Sequence, residues 1–380
     1  MTASAQPGAL DELRIVDFSR VLAGPFATMM LADLGAIVTK IERPDGGDET
    51  RSWGPPYDAR GEATYFQSVN RNKDSVVLDL RQPAARERAR ALADQADVVV
   101  ENFRPGVMDE LGLGYEQLRE RRPEFRPELV YCSITGFGSG PGSALPGYDL
   151  LVQALGGLMS ITGDPRGEPQ KVGVALVDVL AGLFATVGIL AALRHREATG
   201  EGQRIEVDLL SALLAGLVNQ GSAFTVAGVV PERLGNAHPS ISPYELLQTG
   251  DGQLVLAVGN DRQFAALTEV IGAPELARDE RFASNGQRVA HRVELLAVLQ
   301  NRLESRSASD WAAVLTDARV PAGVVNDVRA AFALAESLGL DPIVSLPGPG
   351  GEEVRLTRNP IRLSRTPASY RSAPPGLDGA

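Results

Sequence analysis

One cysteine, Cys132, stands in 380 residues. No intrachain disulfide can form, which fits a reducing compartment or one with no need of bridges. The three histidines, His195, His238 and His291, are scattered. With a single thiol they cannot be drawn into a zinc site, and no metal is expected. Positive charge is in deficit: 37 Lys and Arg against 48 Asp and Glu give a net charge of −11. Nucleic acid and anionic membranes are therefore excluded as general partners, and an anionic ligand would need a local basic cluster. Met1 to Ala9 has neither a basic nor an apolar leader region, so no secretory signal is expected and the cytoplasm is the expected location. No G-x-G-x-x-G follows the first strand, so there is no dinucleotide fingerprint.

What is present is an ordinary globular balance, 44% hydrophobic and 22% charged, in a chain long enough for two domains. Leu13–Phe18 reads as a buried strand, Phe26–Leu34 as a helix and Gly35–Arg43 as a second strand, the start of a βαβ unit. Ser75–Leu80, Asp97–Phe103, Leu129–Ile134 and Arg204–Asp208 continue as strands, with helices at Pro83–Ala93, Tyr115–Arg119, Tyr148–Ile161 and Leu209 to about Val226. The repeated Arg-Pro-Glu of Arg122–Glu124 and Arg126–Glu128 reads as an insertion in a surface connection. Tyr244–Val258 reads as a hairpin turning at Asp251-Gly252. Helices at Arg262–Ile271 and Arg292–Leu303, and a helix start at Ala308–Asp310, fill out a smaller α+β unit. The expected fold is α/β: a Rossmann-like parallel-sheet domain over 1–224, a small α+β domain over 225–330, and a segment over 331–380 that returns to the large domain.

One stretch resists a purely structural reading. Between Lys171 and Arg194 the only charged residue is Asp178. The run is long enough for a membrane helix, but an internal aspartate is costly there. Two readings fit better. Asp178 is the N-cap of a buried helix from Val179 to about His195, its carboxylate taking the free N–H groups of the first turn. Or a carboxylate fixed at a helix start among apolar neighbours is a nucleophile or general base. The two are compatible, and this stretch alone leaves both open.

Separated motifs decide between them. They are Asp17–Pro25 (DFSRVLAGP); Leu34-Gly35-Ala36 through Lys40–Pro44; Gly47-Asp48 with Thr50-Arg51; Asn70 with Asn72-Lys73; Val100–Gly106 (VENFRPG); Ser133–Gly138; Gly147-Tyr148-Asp149; and Thr199-Gly200 with Gly202-Gln203. In this order and spacing they resemble the class III coenzyme A transferases, relatives of formyl-CoA transferase, carnitine CoA-transferase and α-methylacyl-CoA racemase. The resemblance covers nearly the whole chain. It implies that Asp178 is the nucleophile, forming an anhydride and then an aspartyl-CoA thioester. It implies CoA contacts at Arg43, Leu78, Arg81, Asn102, Phe103 and Arg104, with Arg71 and Lys73 close in sequence. It also implies an interlocked homodimer with the site near the subunit interface. Coenzyme A enters as a substrate, and no tightly bound cofactor is expected.

Three features refine that reading. The racemase branch has a His-Asp pair where this chain has Tyr148-Asp149, and tyrosine, with a pKa near ~10, is a poor base at neutral pH. This favours transfer over epimerisation, the alternative activity; an inactive CoA-binding homologue is a third reading. Asp149 either orients the site or caps a helix before Leu150. Arg20, Leu22 and the Ala237–Ile241 segment look most like the succinyl-CoA:glutarate (dicarboxylate) type, with Arg20 and His238 as candidate partners for a second carboxylate. The chain departs from the family at Glu110, where an arginine is usual, and at a short end after Leu377.

Overall fold

The computed structural model describes residues 8–58, 60–120, 128–348 and 350–379. The Arg-Pro-Glu repeat up to residue 127 lies outside them, as does most of the N-terminal tail. The chain separates into two compact units.

The first unit takes the described residues up to Leu158, then Lys171–Val229, then those from Asp341 onward. Its sheet strands are β1 (Arg14–Asp17), β2 (Ile37–Glu42), β3 (Lys73–Val77), β4 (Val98–Glu101), β5 (Val130–Thr135) and β6 (Arg204–Asp208). They pair in the order β3-β2-β1-β4-β5-β6, every pairing parallel. The helices in this part of the chain are α1 (Ala23–Asp33), α2 (Thr64–Gln67), α3 (Pro83–Ala93), α4 (Val107–Glu110), α5 (Tyr115–Glu120), α6 (Asp149–Leu155), α7 (Leu158–Ile161), α8 (Leu176–Thr199), α9 (Leu209–Gly216) and α10 (Val218–Ala227). Alternate residues of each strand enter different cores. Ile15, Val98, Val100 and Cys132 pack with Ala27, Leu31, Ala181 and Ile189 of α1 and α8. Val16, Val99 and Tyr131 pack with Ala89, Ala93 and Leu118 of α3 and α5. A sheet buried on both faces needs near-continuous apolar strands, which is why Val98-Val99-Val100 reads as a single run.

This strand order reverses direction between β1 and β4. In open parallel sheets the ligand crevice forms at that point, outside the carboxyl ends of the strands.

Helix α8 is the apolar run. By length and composition it could cross a bilayer, yet its Val177, Ala181, Ala185, Ile189 and Ala192 stripe is packed into the sheet core. A Cβ on Gly182 would lie 2.6 Å from the Ala23 carbonyl oxygen, so glycine lets α8 cross close to α1. Two expectations are corrected here. The helix starts at Leu176 with Ala175 at the cap, and Asp178 is its third residue rather than its cap. The single helix expected from Leu209 to Val226 is two, α9 and α10, meeting at an 85° bend where Val218 has φ of 45°.

The second unit comprises Met159–Gln170 and Val230–Leu340. Strands β7 (Tyr244–Gln248), β8 (Gln253–Ala257) and β9 (Ala322–Val324) form an antiparallel sheet, with the hairpin turn at Asp251-Gly252. Helices α11 (Asp261–Val270), α12 (Asn285–Ala290), α13 (Arg292–Leu303), α14 (Ala308–Asp317) and α15 (Val328–Ser337) accompany it. Phe264, Leu267, Leu299 and Trp311 form its core with Leu254 and Leu256. Helix α14 is capped by Ser307, one residue before the expected start, its hydroxyl taking the Asp310 N–H.

The last segment forms a hairpin, β10 (Ile343–Pro347) with β11 (Glu353–Thr357), and is tied to the first unit by a buried polar hub. Arg71 pairs both guanidinium ends with Asp33, at 2.9 and 2.6 Å, and donates to the Thr357 carbonyl. The Asn72 amide donates to Asp33 and to the Ser369 carbonyl, and its oxygen accepts the Arg371 N–H.

Candidate active site

The loop after β1 begins the site. Asp17, fully buried at the end of the strand, accepts from the Ser19 N–H and hydroxyl and from the Thr28 hydroxyl. Burial alone would raise its pKa, but Lys73 at 3.2 Å and Lys40 outweigh that and hold it below the usual carboxylate range. Lys40 in turn donates to the Ser19 carbonyl at 2.8 Å and pairs with Asp48 at 2.9 Å. The Val21 N–H is shared between the two Asp48 oxygens, at 3.3 and 3.2 Å. Asn102, just after β4, accepts the Arg20 N–H at 2.8 Å and donates to the Arg20 carbonyl at 2.7 Å. One side chain thus clamps the loops on both sides of the strand-order reversal. These bonds hold Val21 at φ of 69°. A β-branched residue there is strained by about 1–3 kcal/mol and persists only where its surroundings over-determine it.

A cavity of about 440 Å³ opens beyond the ends of β2 and β3, lined by Phe18, Arg43, Leu78, Arg81 and Phe103 among others. Four residues of the sequence-derived CoA set therefore line one groove. Arg81 is braced by Asp79 at 2.7 Å and lies 3.5 Å from Asp45. Arg43 donates to the Gly47 carbonyl at 2.9 Å. Arg104 is exposed, with no ion pair among the described residues, and Glu110 does not line the groove. Arg71 and Lys73 belong to the buried scaffold, paired with Asp33 and Asp17.

A second hollow of about 230 Å³ is lined by Arg20, Leu22, Glu49, Tyr148, Asp149 and Asp178, and shares Arg20 and Phe103 with the groove. Asn102 and Arg104 line it as well. The Arg20 guanidinium lies 4.7 Å over the Phe103 ring. Asp149 supplies the cap that Asp178 does not. Its Oδ1 accepts the Val177 N–H at 2.8 Å and the Asp178 N–H at 3.3 Å, and Oδ2 accepts from Gln153 at 2.6 Å. The cap of α6 itself is Tyr148, whose side chain is exposed. The Asp178 carboxylate has no hydrogen-bond partner among the described residues. Desolvation, and then the charge of Asp149, pushes its pKa up to about 7. The favourable field of a helix N-terminus does not offset them. Leu22, which lines the hollow, belongs to an apolar cluster with Tyr65, Ala175 and Val179. The Tyr65 phenol is itself pushed up to about 12, by burial and then by Asp178 and Asp149.

Sequence reasoning missed Tyr65, Asp48, Glu49 and Glu101. Glu101, buried at the end of β4, accepts from Ser133 at 2.5 Å and from the Phe103 N–H at 2.8 Å, fixing the loop that carries Phe103. Its place inside a motif was the available signal. His238 belongs to the second unit. There its ring lies 5.2 Å from that of Tyr244, Nδ1 accepts the Ser240 N–H, and its carbonyl accepts from Arg292. Among the described residues no cluster of three or more His, Cys, Asp or Glu is placed to hold a metal ion.

A half-buried carboxylate with no hydrogen-bond partner on its oxygens among the described residues, in a hollow that adjoins a groove lined by Arg43 and Arg81, is equipped to attack an acyl group carried by an anionic ligand. The model of CoA-transferase family III matches residues 10–380. The succinate–glutarate CoA-transferase of Agrobacterium fabrum is 44% identical over 97% of this chain and 92% of its own. The acetyl-CoA:oxalate CoA-transferase of Acetobacter aceti is 41% identical over 96% and 91%. The crystal structure of a CAIB/BAIF family protein from Brucella suis superposes with a TM-score of 0.86 at 43% identity, covering 98% of this chain and 97% of that one.

Proposed function

This chain belongs to CoA-transferase family III and is a CoA-transferase, and on that premise we propose that it moves CoA between dicarboxylic acids with Asp178 as the nucleophile. An Asp178 oxygen attacks the thioester carbonyl of the donor acyl-CoA; the C–S bond breaks, leaving a mixed anhydride and CoA thiolate. The thiolate attacks the aspartyl carbonyl, forming an aspartyl-CoA thioester and releasing the donor acid. The acceptor carboxylate attacks that thioester, and the returning thiolate takes the new acyl group and frees Asp178. Covalent catalysis divides one difficult exchange into easier steps, with no net proton change.

The observation that carries the reading is the place of Asp178: its carboxylate without a hydrogen-bond partner among the described residues, in a hollow that shares Arg20 and Phe103 with the groove of Arg43, Leu78 and Arg81. Arg43 and Arg81 take the phosphates of CoA in this reading, and Phe103 and Leu78 flank its arm. Arg20 takes the distal carboxylate of a dicarboxylate, the fork geometry being suited to it. Identity alone does not choose the acid, since relatives of similar identity are named for glutarate and for oxalate. The chain also pairs with a second copy, covering apolar side chains exposed along α8 and α10.

The test is incubation with succinyl-CoA and a panel of mono- and dicarboxylic acids, with new acyl-CoA species followed by mass. Hydroxylamine should trap an adduct that maps to Asp178. Full exchange activity in Asp178→Ala would sink the assignment. Solvent deuterium entering the α-carbon with no acceptor present would point to epimerisation instead.

A further inference from the structure

Arg20 is engaged by a carboxylate of its own chain. Its Nη1 donates to Glu49 Oε1 at 2.9 Å, and the same carboxylate lies 3.6 Å from Arg43. Both partners stand on backbone held by one buried acid: Asp48 caps the short helix Glu49–Ser52 and accepts the Val21 N–H beside Arg20. The Arg20 and Glu49 side chains are 35% and 30% exposed, so their pairing is of the weak, exchangeable kind. It uses one of the five guanidinium donors. The other Glu49 oxygen is shut off from solvent with no hydrogen-bond partner among the described residues.

We propose that Glu49 is a specificity-determining residue whose carboxylate stands in on Arg20 for the distal carboxylate of a dicarboxylic acid and yields when that acid binds. This rests on the reading above that Arg20 receives the distal carboxylate. A monocarboxylic acid commits its only carboxylate to the reaction at Asp178 and brings an apolar end to Arg20, so it cannot displace Glu49. A dicarboxylic acid offers two oxygens to the donors that Glu49 leaves unused. The exchange matters because the donor acid must depart while CoA stays on Asp178. Each departure would otherwise leave a partly desolvated guanidinium unpaired, which slows release. Glu49 takes over as the acid leaves, trading affinity for rapid acid exchange.

The experiment is steady-state exchange from succinyl-CoA to glutarate or to pentanoate, with succinate as product inhibitor, in the full chain and its Glu49→Gln variant. The variant is expected to lower the glutarate KM and the succinate inhibition constant about two- to fivefold, the scale of a partly exposed ion pair. kcat should fall because acid release slows, and the preference for glutarate over pentanoate should widen. Glu49→Asp, which keeps the charge on a shorter arm, should fall between the parent and Glu49→Gln and separates loss of charge from loss of fold. Unchanged or raised glutarate KM and succinate inhibition constants in Glu49→Gln overturn the proposal, as does an equal fall in the pentanoate KM. In an Arg20→Gln background Glu49→Gln should add nothing. If Arg20→Gln itself leaves the glutarate KM unchanged, the failure lies in the role given to Arg20, and the proposal falls with it.

Discussion

Asp149 holds the backbone N–H of Asp178 at 3.3 Å while its charge opposes that of the Asp178 side chain. One carboxylate fixes the helix turn that carries the other, and resists its ionisation.

The first consequence is a pH profile. Asp178 must be ionised to attack, so kcat/KM for acyl-CoA should rise with pH through about 7 and then level off. Asp149→Asn keeps an oxygen for the two N–H groups but removes the charge. Desolvation remains, so the acid limb should move part of the way toward the ordinary carboxylate value. A limb that stays in place or moves to higher pH would show that the charge of Asp149 plays no part.

Stability should carry the same signature. The folded pKa of Asp178 lies above its free value of 3.8, so between the two the folded state binds the proton and the unfolded state has released it. Stability is then lost as pH rises through that window. Asp178→Asn should melt higher than the parent above pH 7, with the gap closing toward pH 4. Thermal melts across pH read this directly, and a gap independent of pH would contradict it.

A glycine pair governs the loop before Tyr148. A Cβ on Gly136 would sit 2.4 Å from the Gly147 Cα, and one on Gly147 would sit 2.7 Å from the Gly136 Cα. Backbone meets backbone, so neither neighbour can turn aside. Gly136→Ala or Gly147→Ala should cost about 1–3 kcal/mol and move Tyr148 and Asp149. Chemical denaturation with parallel kinetics checks both, and an unaffected KM would show that the loop does not shape the site.

Self-association is the fourth expectation. Val187 on α8 and Phe224 and Val226 on α10 are 64%, 58% and 86% exposed, apolar side chains that a second copy would cover. Light scattering should give twice the chain mass for the parent. Val187→Asp combined with Phe224→Asp should give monomers, and a monomeric parent would refute the idea.

The sequence showed most of the first unit because its signals are local. The helix Pro83–Ala93 and the strand Arg204–Asp208 are found where apolar pattern and flanking proline or glycine place them. What it hid depends on distant partners. Asp178 reads as a cap because the true cap, Asp149, stands 29 residues earlier. Arg71 and Lys73 read only as neighbours of the CoA set because Asp33 and Asp17, 38 and 56 residues away, are what allow their burial. The bend at Val218 carries no proline. The groove residues Arg43, Leu78, Arg81 and Phe103 were legible only through motifs, since composition gives no reason to gather them.

The hub of Asp33, Arg71 and Asn72 has a consequence for biosynthesis. Its remaining members, Thr357, Asn359, Ser369 and Ser372, leave the ribosome some three hundred residues later. At about 5–20 residues per second, the sheet has to wait tens of seconds with a buried acid and its arginine only partly matched. The second unit is translated during that interval and can condense on its own core. The nascent protein is therefore most exposed to chaperones and proteases in the part that carries Asp33 and Arg71, and a stretch made much later is the one that locks it.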